Sequence, residues 1–260
     1  MKKLMLLSFG VIWFTTCTQA QEYKVKLANA KDRKVTFEIN AADLKIEGTN
    51  GDELIIQGSS DAEPVPDRAK GLKAVYYDVV DNTGIGLAVT KDENGFKIEK
   101  AVRKSIKYTV RLPRKVAVKF QQTNWQGGSQ ISISNMDGDL EITSLNADVD
   151  LINVTGPVVA NSTSGTIKVV YTNFNQEKPS SISNISGAVD IALPASAKSD
   201  LNMHSINGEI YTDFDLGKKP TKDVLTKAGF GNNIKAEING GGVGINLNTI
   251  SGNIYVRKQK

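Results

Sequence analysis

The sequence has one cysteine and one histidine in 260 residues, seven prolines and only 7% aromatic side chains. A single thiol cannot build a disulfide framework, and one thiol with one imidazole cannot assemble a Cys/His metal site. Charge of one sign is not in large excess either, since 32 basic residues face 28 acidic ones. Over the whole chain that balance is only a small basic excess and does not mark a nucleic-acid binder, so no nucleic-acid partner is expected. Past residue 14 no run is apolar and long enough to span a bilayer, which argues against an integral membrane segment in the processed chain. Dinucleotide fingerprints are missing as well. Gly84-Ile85-Gly86, Gly229-Phe230-Gly231 and Gly240-Gly241-Gly242-Val243-Gly244 lack the third glycine and the following helix, so they read as turns and no cofactor is expected.

The one apolar run lies at the start. Lys2 and Lys3 precede Leu4–Phe14, and Thr18-Gln19-Ala20 supplies the small residues that a signal peptidase reads. Residues 1–20 are therefore expected to be a secretory signal peptide, which makes the chain exported: periplasmic, cell-surface or secreted. Cleavage after Ala20 removes Cys17. The alternative fate is a lipid anchor at Cys17, for which Phe14-Thr15-Thr16 is a degraded recognition motif.

From Gln21 onward the dominant pattern is alternation with period two, as in Tyr23-Lys24-Val25-Lys26-Leu27 and Val35-Thr36-Phe37-Glu38-Ile39. Such alternation sends apolar side chains to one face of a strand and polar ones to the other. Asn50-Gly51 between two such runs predicts a hairpin or tight turn. Residues 59–72, with two prolines, predict an exposed loop. Residues 21–115 form an N-terminal β-rich part, and 116–260 a repetitive one.

In that second part Gly138, Ala147, Gly156 and Gly165 recur every nine residues. Two places later stand Leu140, Val149, Val158 and Ile167, and two places earlier Met136, Leu145, Val154 and Thr163. The signature returns as Ile185-Ser186-Gly187, Ile206-Asn207-Gly208 and Ile250-Ser251-Gly252. The gap from Gly208 to Gly252 predicts a missing member near Gly229-Phe230-Gly231, with Asp213–Lys227 as a bulging loop. A lone unit cannot bury its apolar face, so neighbours must stack. The expected fold is all-β, a single-stranded β-helix or β-solenoid with coils of 18–22 residues; an antiparallel meander is the other architecture that regular turns allow.

These motifs resemble a bacterial family of provisionally named adhesin domains of unknown function. The resemblance runs from Ile46-Glu47-Gly48 and Gly51-Asp52-Glu53-Leu54, through Tyr108–Pro113, to Ile238–Gly242 and Ile245–Tyr255. It implies a β-helix-like stack, an extracytoplasmic location and no assigned catalytic residues.

Few residues suggest chemistry. His204 with Asp200 and Ser205 is formally a triad set, but no nucleophile elbow and no second histidine accompany it. Stacked coils would bring Asp139 near Asp148, and Glu141 near Asp150, as rows that bind calcium or are simply solvated. Residues 97–119 carry nine cations and one acid, Glu99. They guard strand edges or meet an anionic envelope component. Trp125, at a turn, suits stacking on a sugar. The candidate ligand-binding set is therefore Trp125, Arg103, Lys104, Lys107, Arg111 and Arg114. The expected function is a non-enzymatic envelope or surface protein, a binding or structural module of the adhesin kind. Its partner would be a glycan, an envelope component, a surface protein or another copy of itself. The alternatives are a polysaccharide-active β-helix enzyme and a periplasmic accessory protein in envelope stress.

Overall fold

The fold is taken from a computed structural model, whose described residues are 22–27, 34–40, 43–59, 67–69, 72, 78–92, 95–103, 105–125, 130–216, 221–222 and 232–259. The expected signal peptide with Cys17, Lys104 and Gly229-Phe230-Gly231 lie outside them.

The strands in chain order begin with β1 (Glu22–Lys26), β2 (Lys34–Ile39), β3 (Asp43–Thr49), β4 (Glu53–Gly58), β5 (Leu87–Lys91), β6 (Gly95–Lys100) and β7 (Tyr108–Pro113). The middle of the chain gives β8 (Ala117–Gln122), β9 (Gln130–Ser134), β10 (Leu140–Ser144), β11 (Asp148–Val154), β12 (Val158–Ser164), β13 (Ile167–Tyr171), β14 (Ser180–Ser186) and β15 (Val189–Leu193). The last are β16 (Ser199–Ser205), β17 (Ile210–Thr212), β18 (Thr221–Lys222), β19 (Asn232–Ile238), β20 (Val243–Ser251) and β21 (Ile254–Lys258).

They form two sheets. The first runs β1-β4-β7-β3-β9-β11-β13-β15-β21-β17, and the second β18-β19-β16-β20-β14-β12-β10-β8-β2-β6-β5. Each central coil gives one strand to each sheet, and like strands stack in parallel register, as β10 on β12 and β11 on β13. This is the expected β-solenoid. Strand faces alternate cleanly; β10 and β15 both read buried, half-buried, buried along their length. The inward sides share one core. Burying such branched residues is worth about 1.5–3 kcal/mol each, which is what a lone coil could not collect.

Leu140, Val149, Val158 and Ile167 are all fully interior. They form two facing rows rather than one, because Leu140 pairs with Val158 in the second sheet and Val149 with Ile167 in the first. A coil therefore has two different corners, and the nine-residue spacing alternates between them. Gly138 and Gly156 lie where the chain passes from the first sheet to the second. Ala147, Gly165, Gly187, Gly252 and Gly208 stack where it passes from the second to the first. At this latter corner each glycine lies against the carbonyl of the residue before it in the stack: a Cβ on Gly187 would collide with the Gly165 oxygen, and one on Gly252 with that of Gly187. Gly187 also has φ +133°, which side-chain-bearing residues resist.

The ends depart from sequence order. β2 and β3 insert between the coil of β6 and β7 and that of β8 and β9. The C-terminal coil, β20 and β21, inserts between the coils of β14/β15 and β16/β17. Gly252 and Gly208 are consequently stack neighbours, and the 44-residue interval is an excursion instead of two coils. Part of it, Thr221–Lys222, is the short strand β18 pairing with β19, not loop. Asn50-Gly51 turns the chain but closes no hairpin, since β7 lies between β3 and β4; the hairpin joins β5 to β6.

Candidate functional site: a groove along one corner

The corner from the second sheet to the first is built on a buried polar ladder. Gln122, Ser144, Ser162, Asn184, Thr249 and Ser205 are the last inward-facing residues of their strands, and all are buried. Carbonyls freed by the turn need donors, and these side chains provide them. Asn184 Nδ2 donates to the Gly165 carbonyl at 2.6 Å, Thr249 Oγ1 to that of Gly187 at 3.4 Å, and Ser205 Oγ to that of Gly252 at 3.0 Å. Gln122 Oε1 accepts from Ser144 Oγ at 3.1 Å and from the Leu145 amide at 2.9 Å.

Outside this latch lies a groove of ≈ 360 Å³. Its floor is one register row across five adjacent strands: Thr143 beside Asn161, Asn161 beside Ser183, Ser183 beside Asn248, and Asn248 beside His204. Its rim is the next outward position, Leu145, Thr163, Ile185, Ile250 and Ile206, apolar except at Thr163. Ile185 is 49% and Ile250 44% exposed. The row two residues earlier is uncharged on four of the five strands, Val159, Ser181, Asn246 and Asn202, and carries the ion-paired Glu141 on β10. On β12, β14 and β20 the outer face carries no ionisable side chain, and β16 adds two: Asp200 at its start and His204, the only such group lining the groove. The first sheet's outer face is different: Asp150, Lys168, Asp190 and Tyr255 follow one another in register, and Arg257 bonds Asp190 at 2.9 Å.

His204 is half-buried in the floor, with Nδ1 buried and unpartnered. Ser205 faces inward to Gly252, and Asp200 accepts the Gly242 amide at 3.2 Å, so no triad forms. The expected acid rows do not form either, because the two members of each pair belong to opposite sheets. Glu141 is clasped by Lys119 at 2.7 Å and Lys34 at 2.9 Å, whose bonds hold its carboxyl below the usual carboxylate range. Asp148 accepts the Thr166 amide, and Asp150 accepts from Gln130 at 2.8 Å. Among the described residues no group of three His, Cys, Asp or Glu side chains could hold a metal.

The candidate set from the sequence divides. Trp125, 55% exposed, sits on the groove's corner one coil beyond Leu145, where its carbonyl accepts Asn146 Nδ2 at 3.1 Å. Arg103 and Lys107 occupy the same edge two coils further, where Lys107 pairs with Asp43 at 2.9 Å. Arg111 points outward from β7 in the first sheet. Arg114 lies at the opposite corner, bonded to Asp137 at 3.0 Å. Burial pushes the Asp137 carboxyl up, but the bonds from Arg114 and Thr155 outweigh it and leave it below its usual value. Sequence reasoning missed the groove although its signal was present: the isoleucine two places before Gly187, Gly208 and Gly252.

Two continuous sheets wound from repeated strand pairs define a β-solenoid. The chain belongs to the Toastrack DUF4097 family, whose model matches residues 117–257. That family is of unknown function, and its fold is β-solenoid-like. Two solved structures are similar to the chain. One is a provisionally named cell adhesion protein from Clostridium sporogenes, 13% identical, with a TM-score of 0.51 over 93% of this chain and 100% of that one. The other is a provisionally named adhesin from Bacteroides fragilis, 11% identical, with a TM-score of 0.39 over 93% and 98%. No functionally curated protein matches the sequence.

Proposed function

We propose that this chain is an exported, non-enzymatic binding module of the adhesin kind, and that the corner groove is where it engages its ligand. The observation that carries this reading is the outward display of Ile185 and Ile250 beside an uncharged polar row, a combination of apolar contact and hydrogen bonding typical of recognition surfaces. The name of one solved structure of similar fold, a provisional cell adhesion protein, supports this reading. An enzyme would need clustered acids or bases over a groove, and this one offers His204 alone.

The test uses the chain from Gln21, presented to a glycan array and to isolated envelope fractions, with polysaccharide turnover assayed in parallel. Binding without turnover, lost in an Ile185→Asp/Ile250→Asp double variant that still melts cooperatively, is the expected result. Turnover by the wild type would overturn the non-enzymatic assignment. Binding that survives the double variant would move the site elsewhere. The intact mass of the exported protein tests export itself, since removal of residues 1–20 leaves Gln21 first.

A further inference from the structure

We infer that the groove takes a neutral, linear, β-linked glycan laid along the stack axis, one sugar to a strand. This rests on the reading of the groove as a binding surface and adds the chemical class and direction of the ligand.

The floor side chains Thr143, Asn161, Ser183, Asn248 and His204 stand on consecutive strands, so they recur about every 4.8 Å, spanning roughly 19 Å in four steps. An extended β-1,4-linked pyranose chain advances by only slightly more than this step per sugar, so the mismatch stays below half a rung across the row, with adjacent rings turned over relative to each other. An extended peptide advances about 3.3 Å per residue, so its residues drift out of phase with the strands within two rungs. A peptide strand also seeks a free sheet edge, and the backbones beneath this groove are already paired on both sides.

The chemistry of the lining agrees. Hydroxyls and amides both donate and accept, which matches sugar hydroxyls, whose own role differs from carbon to carbon. Leu145, Ile185, Ile250 and Ile206 offer apolar contact to the C–H faces of the rings. A uronate, sulfated or phosphorylated chain would lose water from its charges here without meeting Lys or Arg. Trp125, exposed one coil beyond Leu145, extends the same edge with a ring suited to a terminal sugar.

The experiment measures, by isothermal titration of the chain from Gln21, neutral β-linked gluco-, xylo-, manno- and N-acetylchito-oligosaccharides from one to six units. Acidic oligosaccharides and an extended-peptide library serve as comparisons. The expected result is affinity that climbs with length for at least one neutral series and levels off at about five sugars, the number of rungs. Asn161→Ala and Ile250→Asp are each expected to weaken it at least tenfold, and Tyr211→Ala, on the other sheet, to leave it unchanged. Absence of millimolar binding to every neutral series, affinity independent of length, or binding equal to wild type in both groove variants would overturn the inference. If peptides or acidic glycans bind instead and the groove variants abolish that binding, the neutral-glycan assignment fails while the groove stands as a binding site. If the variants alter the binding of no ligand that the wild type binds, both fail.

Discussion

Asn184 reaches across the stack to hold the carbonyl of Gly165, nineteen positions earlier, with its amide nitrogen 2.6 Å from the oxygen. Asn184 is 3% exposed, so water cannot replace it at that carbonyl. Leaving a buried acceptor without its donor costs about 1–3 kcal/mol. Asn184→Ala is expected to lower unfolding stability by that amount in a denaturant titration, and Ser205→Ala, which frees the Gly252 carbonyl, by a similar one. Unchanged midpoints in both would mean that the inward polar residues do not secure the corner.

The corner glycines separate cleanly from the others. At Gly187 a methyl group meets the backbone oxygen of Gly165, which no side-chain rotation relieves, and φ +133° adds strain. At Gly244 the added carbon has nothing within 4 Å and the backbone is not left-handed. Gly187→Ala is expected to cost about 3 kcal/mol or more, in the range of core disruptions, whereas Gly244→Ala stays within about 0.5 kcal/mol. Thermal melts of the two variants side by side decide it; equal melting temperatures would refute the close-approach explanation.

Alternation and glycine spacing made the core legible from sequence, because facing direction along a strand is a local property: Leu140, Val149, Val158 and Ile167 are all interior. The groove was hidden by the same alignment that exposed the repeat. Placing every corner in one column superposed Met136 and Val154, which turn inward at one corner, on Leu145 and Ile185, which turn outward at the other. The basic stretch is divided between the two sheets for a related reason. Lys97 and Arg111 are close in sequence, but β6 and β7 belong to opposite sheets. The inserted end coils had no local signal at all, since which strand pairs with which is decided by packing between segments far apart in the chain.

Acid is expected to loosen the opposite corner. Asp137 accepts from Arg114 at 3.0 Å and from Thr155 at 2.9 Å, and its folded-state proton affinity lies below the ordinary value of 3.8. A carboxyl depressed in this way adds stability above its unfolded pKa and gives it up as pH falls through the folded one. Asp137→Asn should therefore be less stable than wild type at pH 7 by about 0.5–1 kcal/mol, given its partial exposure, and by less at a pH below 3.8. Denaturant midpoints at the two pH values test this; a gap that persists undiminished in acid would assign the loss to shape rather than charge.

Truncation tests the inserted order. In a solenoid wound strictly in sequence, removing the last coil exposes the one beneath it and leaves the rest folded, because each coil contacts only its neighbours. Here β20 pairs with β14 on one side and β16 on the other, while β21 lies between β15 and β17. Deleting residues 243–260 removes an interior layer with Ile245, Leu247, Ile254 and Val256, all fully buried. It also separates β16 and β17 from the stack. The shortened chain is expected to lose cooperative unfolding and to aggregate, although fewer than one residue in ten has gone. Truncation after residue 194 instead removes the insertion together with the strands it holds, and ends the stack on the coil of β14 and β15. That shorter chain should therefore retain a cooperative thermal transition that the longer one lacks. The reverse ranking, measured by circular dichroism melts of the two, would contradict the order of coils found here.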